Sequence, residues 1–244
     1  MKEDKKSIGY RILLVILALI FAYSAFQVGK ILYDYYAGTK AYTNIQKIAG
    51  IDDKLSKIDF DALYKVNSDV KGWILSENTL INYPIVQGKD NSYYLTHMFN
   101  KEYNPKGSIF IDANNPDPFK DFNTIIYGHR MKDRSMFNSI ANYADEEFYK
   151  KHKKMIIVTP EKRYYLKIFS IMTIPADSDL YKIYFGSDSE KEEYINFVKS
   201  NSETKMDVNV DPTDNIVMLS TCTNHDQNER IVVYGKLTDF HKKS

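Results

Sequence analysis

The sequence predicts a mainly β protein: an eight-stranded, closed or partly closed β-barrel with inserted helices, preceded by an N-terminal transmembrane helix and a helical stalk. Three observations predict this fold. Residues 12–29 form an uncharged apolar run, isoleucines then recur at helical spacing, and short apolar segments separated by Gly, Pro, Asn and Asp fill the remainder. The 20 tyrosines among 244 residues also favour strands.

The apolar run at residues 12–29 is the predicted anchor. It is apolar on every face and close to the ~20 residues that a spanning helix needs. Basic residues within 1–11 favour an inside N-terminus, which places residues 30–244 outside the membrane. A cleaved signal peptide is the alternative, because Ala22-Tyr23-Ser24 resembles a cleavage site. The first predicted domain is residues 1–29, a cytoplasmic tail and membrane anchor.

A helical stalk follows at residues 30–58, where Ile45, Ile48, Ile51 and Leu55 recur at roughly helical spacing in a mixed-charge background. From residue 59 the pattern changes to short apolar segments. The extracytoplasmic domain is therefore predicted to cover residues 59–244.

Strand-like segments in that domain share short length, apolar character and flanking turn residues. They are residues 72–75, 81–86, 108–111, 124–127, 155–158, 163–174, 216–221 and 231–237. Pro84 lies inside one of them and predicts an edge strand or a bulge. Two inserted helices are predicted at residues 144–152, where acids precede bases, and at 189–200, which has an apolar side and Ser187 or Ser189 as its cap.

Composition and motifs exclude several functional classes. The net charge of +1 gives no indication of bulk nucleic-acid binding. The sequence has no HExxH, no CxxC and no Gly-rich phosphate loop, so neither metal nor cofactor is expected. Residues 112–117 are acid-rich but lack the ligand pattern of a calcium loop, and they are interpreted as a turn cluster.

Cys222 is the only cysteine, and it ends an apolar run. An internal disulfide is impossible, so the thiol is a buried packing residue, a loose surface group, an intermolecular crosslink or a nucleophile. An exported protein normally favours paired cysteines. A lone cysteine in such a protein therefore raises the possibility that the thiol is kept for its chemistry.

His129 is the strongest candidate base for this thiol, because it emerges where the strand at 124–127 ends. A plain Gly-His turn is the alternative. His225 is only three residues after the cysteine and would need a tight turn to reach it. His241 and His152 are most simply solvated, and His97 is interpreted as a packing or hydrogen-bonding residue.

Arg230 begins the strand after Cys222. If segments 216–221 and 231–237 form a hairpin, the two side chains are neighbours at one end of the sheet. A guanidinium there is suited to hold an oxyanion or a substrate carbonyl, whereas the alternative is a surface arginine paired with Glu229 or Asp226. A thiol, an imidazole and a cationic oxyanion donor are sufficient for acyl transfer from a peptide bond.

The motifs together resemble the sortases, specifically class B, which are membrane-anchored cysteine transpeptidases of Gram-positive bacteria. The segment Met218-Leu219-Ser220-Thr221-Cys222 is similar to the sortase nucleophile motif, with Met218 in place of the usual Thr. Residues 123–133, followed by 135–138 and 148–152, are similar to the class B histidine region. Residues 93–95 leading to 107–112, and the charged helix at 188–202, also resemble class B members. The resemblance covers roughly residues 60–240, and the eight positions from Cys222 to Arg230 are fewer than in some members.

The resemblance implies a sortase-like barrel in which Cys222 is the nucleophile, His129 the catalytic histidine and Arg230 the catalytic arginine, while Ser220 and Thr221 line the substrate groove. It implies cleavage of a C-terminal sorting signal of the LPxTG, NPxTN or SPxTG type after Thr, through a thioester. The expected partners are sorting-signal-bearing surface proteins, an amine of peptidoglycan or its lipid-linked precursor, and the membrane, with no nucleic acid.

Two other functions remain open from the residues. One is a different exported Cys-His enzyme, such as an L,D-transpeptidase-like crosslinker or a cysteine peptidase, although the former usually has Gly before the cysteine where Thr221 stands here. The other is a non-catalytic surface binding module in which Cys222 is inert.

Overall fold

The computed structural model describes residues 2–51, 57–223 and 228–240, with side chains described from Ile8 onward. The chain divides into two compact units, residues 1–41 and 42–244. The smaller unit is helical and belongs to α1 (Lys2–Ile48). Within α1, Ile8–Ile48 is long and apolar enough to cross a membrane, and no residue of its most apolar window is buried. Phe21, for example, is 76% exposed.

Helix α1 runs without interruption through the predicted boundary between anchor and stalk. It ends at Ile48, earlier than the predicted end of the stalk at residue 58, and residues 52–56 lie outside the described part of the chain. Gly50 explains the end, since its φ of +64° is a helix-terminating conformation that glycine adopts at little cost. The predicted domain boundaries themselves stay predictions.

Eight strands form a closed barrel in the order β1-β2-β3-β4-β7-β8-β6-β5. Their bounds are β1 Val70–Leu75, β2 Asn82–Gln87, β3 Ile109–Ile111, β4 Asn123–Tyr127, β5 Lys154–Val158, β6 Arg163–Pro175, β7 Ile216–Cys222 and β8 Glu229–Asp239. The β2–β3 and β4–β7 pairs are parallel, and the other pairs are antiparallel. The predicted barrel is confirmed, with every predicted strand within two residues of an observed one.

The proline in β2 does not mark an edge strand, because β2 pairs on both sides. That part of the expectation is wrong. A register shift does occur beside it, in β1 between Val70 and Gly72. Pairing with β3 begins at Ile85, so Pro84 lies just before the segment that β3 contacts.

Both predicted inserted helices are present. Helix α4 (Glu146–Lys151) is capped by the Asp145 carboxylate, which accepts from two main-chain N–H groups, and helix α5 (Asp188–Ser200) is capped by Ser187. The chain also forms α2 (Phe60–Val66), α3 (Tyr93–Thr96) and a 3-10 helix (Asn138–Ala144). The sequence does not indicate these three, because helices of seven residues or fewer show no clear helical period.

Helix α5 packs on the outer face of the sheet formed by β4, β6, β7 and β8. Ile125 of β4, Met218 of β7 and Val232 of β8 are buried there against Ile195 and Val198 of the helix. Side chains alternate between the two faces of a strand, so every second residue from these positions lies on the same outer face. This face continues beyond the helix and carries the candidate site.

Candidate active site

The barrel brings the three predicted catalytic residues to one end of one sheet face. Cys222 and Arg230 are opposite partners in the β7–β8 pair, so the predicted hairpin is present. Tyr127 is opposite Ser220 in the β4–β7 pair, and His129 follows Tyr127 by two residues. By the strand alternation, His129, Cys222 and Arg230 extend the outer face on three adjacent strands.

A cleft of about 470 Å³ lies at this end of the barrel. All five residues predicted for the site line it: Cys222, His129, Arg230, Ser220 and Thr221. Other residues of its walls were not predicted from the sequence, namely Asn91, Leu95, Phe110, Tyr127, residues 176–178 and Tyr181. Residues 176–187, between β6 and α5, have no periodic pattern, and nothing local indicates that Tyr181 returns to β7.

Cys222 is the last residue of β7 and is half-buried, with its sulfur free of any disulfide. The six residues before it are all buried, so the strand is fixed in the barrel up to the thiol. A rigid strand end that meets a cleft holds a nucleophile in place while leaving it accessible to a substrate.

His129 is oriented by a backbone carbonyl. Its Nε2 lies 2.6 Å from the Leu95 main-chain oxygen. A carbonyl oxygen only accepts hydrogen bonds, so Nε2 must carry a proton, and the neutral ring then has its lone pair on Nδ1. The main chain of His129 is also held, since Phe137 N–H donates to the His129 carbonyl at 2.9 Å.

Arg230 lines the cleft, and its Nη1 donates to the main-chain oxygen of Glu229 at 2.9 Å. Its positive charge reaches the neighbouring tyrosines. Burial raises the pKa of Tyr181 above its ordinary value, and the hydrogen bond with Ser220 and the nearby Arg230 charge offset part of that rise. Asp226, the other predicted acidic partner, lies outside the described residues.

Ser220 and Thr221 line the cleft in different ways. The Ser220 hydroxyl hydrogen-bonds the Tyr181 hydroxyl at 2.8 Å, which joins β7 to the segment before α5. The Thr221 hydroxyl points to the other side of the strand by the pleat. It is sealed from solvent and has no hydrogen-bond partner within the described residues.

Asp112 supports the opposite wall. Its Oδ2 accepts from the Tyr127 hydroxyl at 2.8 Å and from the Asn91 side-chain amide at 2.9 Å. Burial is the main cause that raises the pKa of Tyr127, and the Asp112 charge adds to it, so the phenol stays protonated as a donor. The Oδ1 atom of Asp112 accepts from Asn114 N–H, which agrees with a turn at residues 112–117.

Of the other histidines, the two that the structure describes, His97 and His152, do not line the cleft. His97 stacks on Tyr93 at a ring-centroid distance of 4.1 Å, so its predicted packing role is confirmed. His152 stacks on Phe148 at 4.0 Å and its Nδ1 contacts the Phe148 oxygen, so the expectation that it is simply solvated is wrong. His225 and His241 lie outside the described residues.

Comparisons with known proteins agree with this geometry. A family model described as the Sortase domain matches residues 77–238. Sortase B of Staphylococcus aureus is 33% identical over 236 residues, which are 93% of this chain and 94% of that protein. Sortase B of Listeria monocytogenes is 33% identical over 241 residues, 96% of this chain and 98% of that protein.

A solved structure of a Staphylococcus aureus sortase B–substrate complex superposes with a TM-score of 0.79 at 31% identity, over 86% of this chain and all of that one (100%). These matches, in sequence and in fold, extend over most of the chain, including most of the barrel. The chain therefore belongs to the sortase family, and it is a cysteine transpeptidase of the sortase B type.

Proposed function

We propose that Cys222, His129 and Arg230 perform the transpeptidation. The observation that carries this assignment is their convergence, from three adjacent strands, on one end of one sheet face and one cleft. Thiol, imidazole and guanidinium are the groups that acyl transfer needs as nucleophile, acid–base and oxyanion donor.

In the first half-reaction the Cys222 thiolate adds to the carbonyl carbon of the substrate threonine. Arg230 donates hydrogen bonds to the oxygen as it becomes negative. The C–N bond then breaks, and the His129 imidazolium gives its Nδ1 proton to the departing amine, while the Nε2 proton stays on the ring, where its N–H donates to the Leu95 oxygen. A thioester between Cys222 and the threonine remains.

In the second half-reaction an amine attacks the thioester carbonyl. Neutral His129 takes the proton of the incoming amine, the new amide forms, and the Cys222 thiolate leaves. The acceptor is an amine of the peptidoglycan stem peptide or of its lipid-linked precursor. The donor is an exported protein with a C-terminal LPxTG-, NPxTN- or SPxTG-like signal. The solved substrate complex of the Staphylococcus aureus sortase B supports substrate binding by this fold.

Ser220 and Thr221 are proposed to line the groove for this signal. Ser220 would present the hydroxyl that Tyr181 orients. Thr221 would contribute its main chain, because its hydroxyl is sealed away from the cleft.

The domain assignment is part of the proposal: residues 1–29 as cytoplasmic tail and single-pass anchor, 30–58 as stalk, and 59–244 as the extracytoplasmic catalytic domain. The exposed apolar side chains of α1 support a membrane location, and the basic residues before them support an inside N-terminus.

Because Cys222 is the only thiol, it also reports topology. We expect a membrane-impermeant maleimide to label Cys222 on intact spheroplasts. The labelled chain should have its full length. Protection from the reagent would reverse the orientation, and a shortened chain would indicate a cleaved signal.

The catalytic assignment is tested with a quenched sorting peptide and an amine acceptor. Cys222→Ala, His129→Ala and Arg230→Ala should each abolish amide formation while circular dichroism stays unchanged. His97→Ala is the matched control, because it removes a histidine outside the cleft and should leave the rate near that of the wild type. Full activity in one of the three variants would remove that residue from the mechanism.

Labelling of the thiol separates this enzyme from a binding module. Cys222 in the native chain should react with iodoacetamide and lose activity with the same time course. A thiol that reacts only after denaturation would contradict the nucleophile role. Cleavage that never yields an amide with the added amine would instead indicate a peptidase.

A further inference from the structure

We propose that Lys106 is a positioning residue for His129: its buried ammonium group holds the loop at residues 130–136 and thereby sets the place of the imidazole. The inference rests on the proposed catalytic role of His129. It adds a charged group that is absent from the lining of the cleft.

Lys106 is buried to an unusual degree, with only 2% of its side chain exposed. A buried ammonium group is costly unless it is paired and hydrogen-bonded. Here Nζ forms an ion pair with Asp133 Oδ2 and donates to the Ser135 hydroxyl at 3.0 Å. The Ser135 hydroxyl in turn donates to Asp133 Oδ1 at 2.5 Å, so ammonium, carboxylate and hydroxyl form one closed cluster, and Ser135 N–H donates to the same Oδ1 at 3.0 Å.

The loop at residues 130–136, which carries Asp133 and Ser135, is strained, and both of its ends are attached to His129. Arg134 and Met136 have φ angles of +67° and +57°, which non-glycine residues adopt only when the surroundings impose them. Arg130 and Met136 form a β-bridge, and Phe137 N–H donates to the His129 carbonyl. Because the loop closes on His129 itself, a relaxation of its strained residues would displace the imidazole.

The turn that contains Lys106 also supports Leu95, whose carbonyl oxygen accepts the hydrogen bond from His129 Nε2. Asn104 N–H donates to the Thr96 carbonyl, and Ser108 N–H donates to the Tyr94 carbonyl, both at 2.9 Å. These two bonds bracket Leu95, whose carbonyl holds His129 Nε2. Residues 104–108 therefore connect to both supports of the ring, one through the ammonium and one through the main chain.

The ionisation of Asp133 agrees with this geometry. Burial by itself would raise the pKa of that carboxyl, but the hydrogen bonds from Lys106 and Ser135 outweigh burial and the pKa is lowered. The carboxylate therefore stays charged beside the ammonium at neutral pH. A buried ion pair seldom stabilises a fold more than apolar residues of similar size do. The role of the Lys106–Asp133 pair is therefore the orientation of the loop.

The test compares Lys106→Met with Lys236→Met in the full chain in detergent micelles. Lys236 forms the matched control pair with Asp214, at 18% side-chain exposure for each, and it lies six residues from Arg230 along β8, about 20 Å away. We expect Lys106→Met to lower kcat about 10- to 100-fold with KM within about twofold, because small displacements of an acid–base group have effects of that size. Lys236→Met should change kcat by less than about twofold.

A spectroscopic readout distinguishes positioning from general weakening of the fold. Nitrogen NMR of histidine-labelled chain should show His129 as the Nε2-protonated tautomer in the wild type and in Lys236→Met. In Lys106→Met the ring should show mixed tautomers, since its bond to Leu95 O is released. The His129 signal is identified by its loss in His129→Ala.

Each outcome decides a separate point. Normal kcat in Lys106→Met, with His129→Ala inactive, would overturn the positioning role and leave the proposed mechanism intact. Full activity of His129→Ala would overturn the mechanism on which the inference rests. Equal losses in Lys106→Met and Lys236→Met, with unchanged tautomers, would show a structural role only. If Lys106→Met does not fold, Asp133→Asn replaces it, with the same expected loss of kcat and the same overturning result.

Discussion

Thr221→Val is the substitution for which the structure gives the sharpest expectation, because it concerns the residue directly before the proposed nucleophile. The Thr221 hydroxyl is sealed from solvent and has no hydrogen-bond partner among the described residues. Valine keeps the β-branched shape that a strand favours and removes only the polar atom. We expect the variant to be more stable than the wild type and equally active.

The magnitude follows from the cost of the unpaired hydroxyl. A buried polar group without a partner costs about 1–3 kcal/mol, so its removal should raise the free energy of unfolding by a similar amount. For a domain of this size each kcal/mol corresponds to a rise in Tm of about 2–4 °C. The sealed oxygen has no path to a bound peptide, so kcat/KM should stay within about twofold.

The assay pairs thermal unfolding of the full chain in micelles with transpeptidation of a quenched peptide. Ser220→Ala is the contrasting variant, because its hydroxyl does have a partner in Tyr181. A lower Tm for Thr221→Val would show that the hydroxyl is hydrogen-bonded in the folded protein. A tenfold fall in its kcat/KM would show that the hydroxyl reaches the substrate. Either result refutes the reasoning.

Further predictions concern the same cleft and its supports. Ser220→Ala should lose about 1 kcal/mol of stability with its hydrogen bond, measured by urea unfolding. Gly107→Ala should lose about 2 kcal/mol or more, since φ is +56° and a Cβ would lie 2.5 Å from the Tyr94 oxygen; Ser108→Ala is the milder control in the same melt. Burial would raise the pKa of Asp69, but Tyr94 and Lys101 outweigh burial and lower it. The charged Asp69 carboxylate therefore stabilises the fold above pH 3.8, and this stabilisation is lost as the pH falls below 3.8. The free energy of unfolding of Asp69→Asn, measured between about pH 5 and 3, should fall less than that of the wild type.

The β-barrel was predictable because its signals are local. Each strand is a short apolar segment bounded by turn residues, and the β7–β8 hairpin connects neighbours in sequence, so Cys222 opposite Arg230 followed from the spacing. The caps of α4 and α5 were equally local, since acids and serine mark the first turn of each helix. The family resemblance added roles for residues that the patterns only located.

The walls of the cleft were not predictable, because they join segments far apart in the chain. The parallel β4–β7 pair brings His129 beside Cys222 across more than 80 residues, and closure of the whole barrel decides that neighbour. Tyr181 meets Ser220, and Leu95 meets His129, through segments with no periodic pattern. The same holds for His152, whose stacking on Phe148 replaced the expected solvent exposure.

The sequence by itself therefore determined that this protein has a single thiol at a strand end, an arginine opposite it, a separate strand ending in histidine, and an apolar N-terminal segment. Only the tertiary structure decided which nitrogen of His129 carries the proton, that the Thr221 hydroxyl turns away from the cleft, and that Lys106 is buried. The physical reason is that strand formation depends on nearby side chains. Tautomer, side-chain burial and ion pairing depend on the groups that barrel closure brings together.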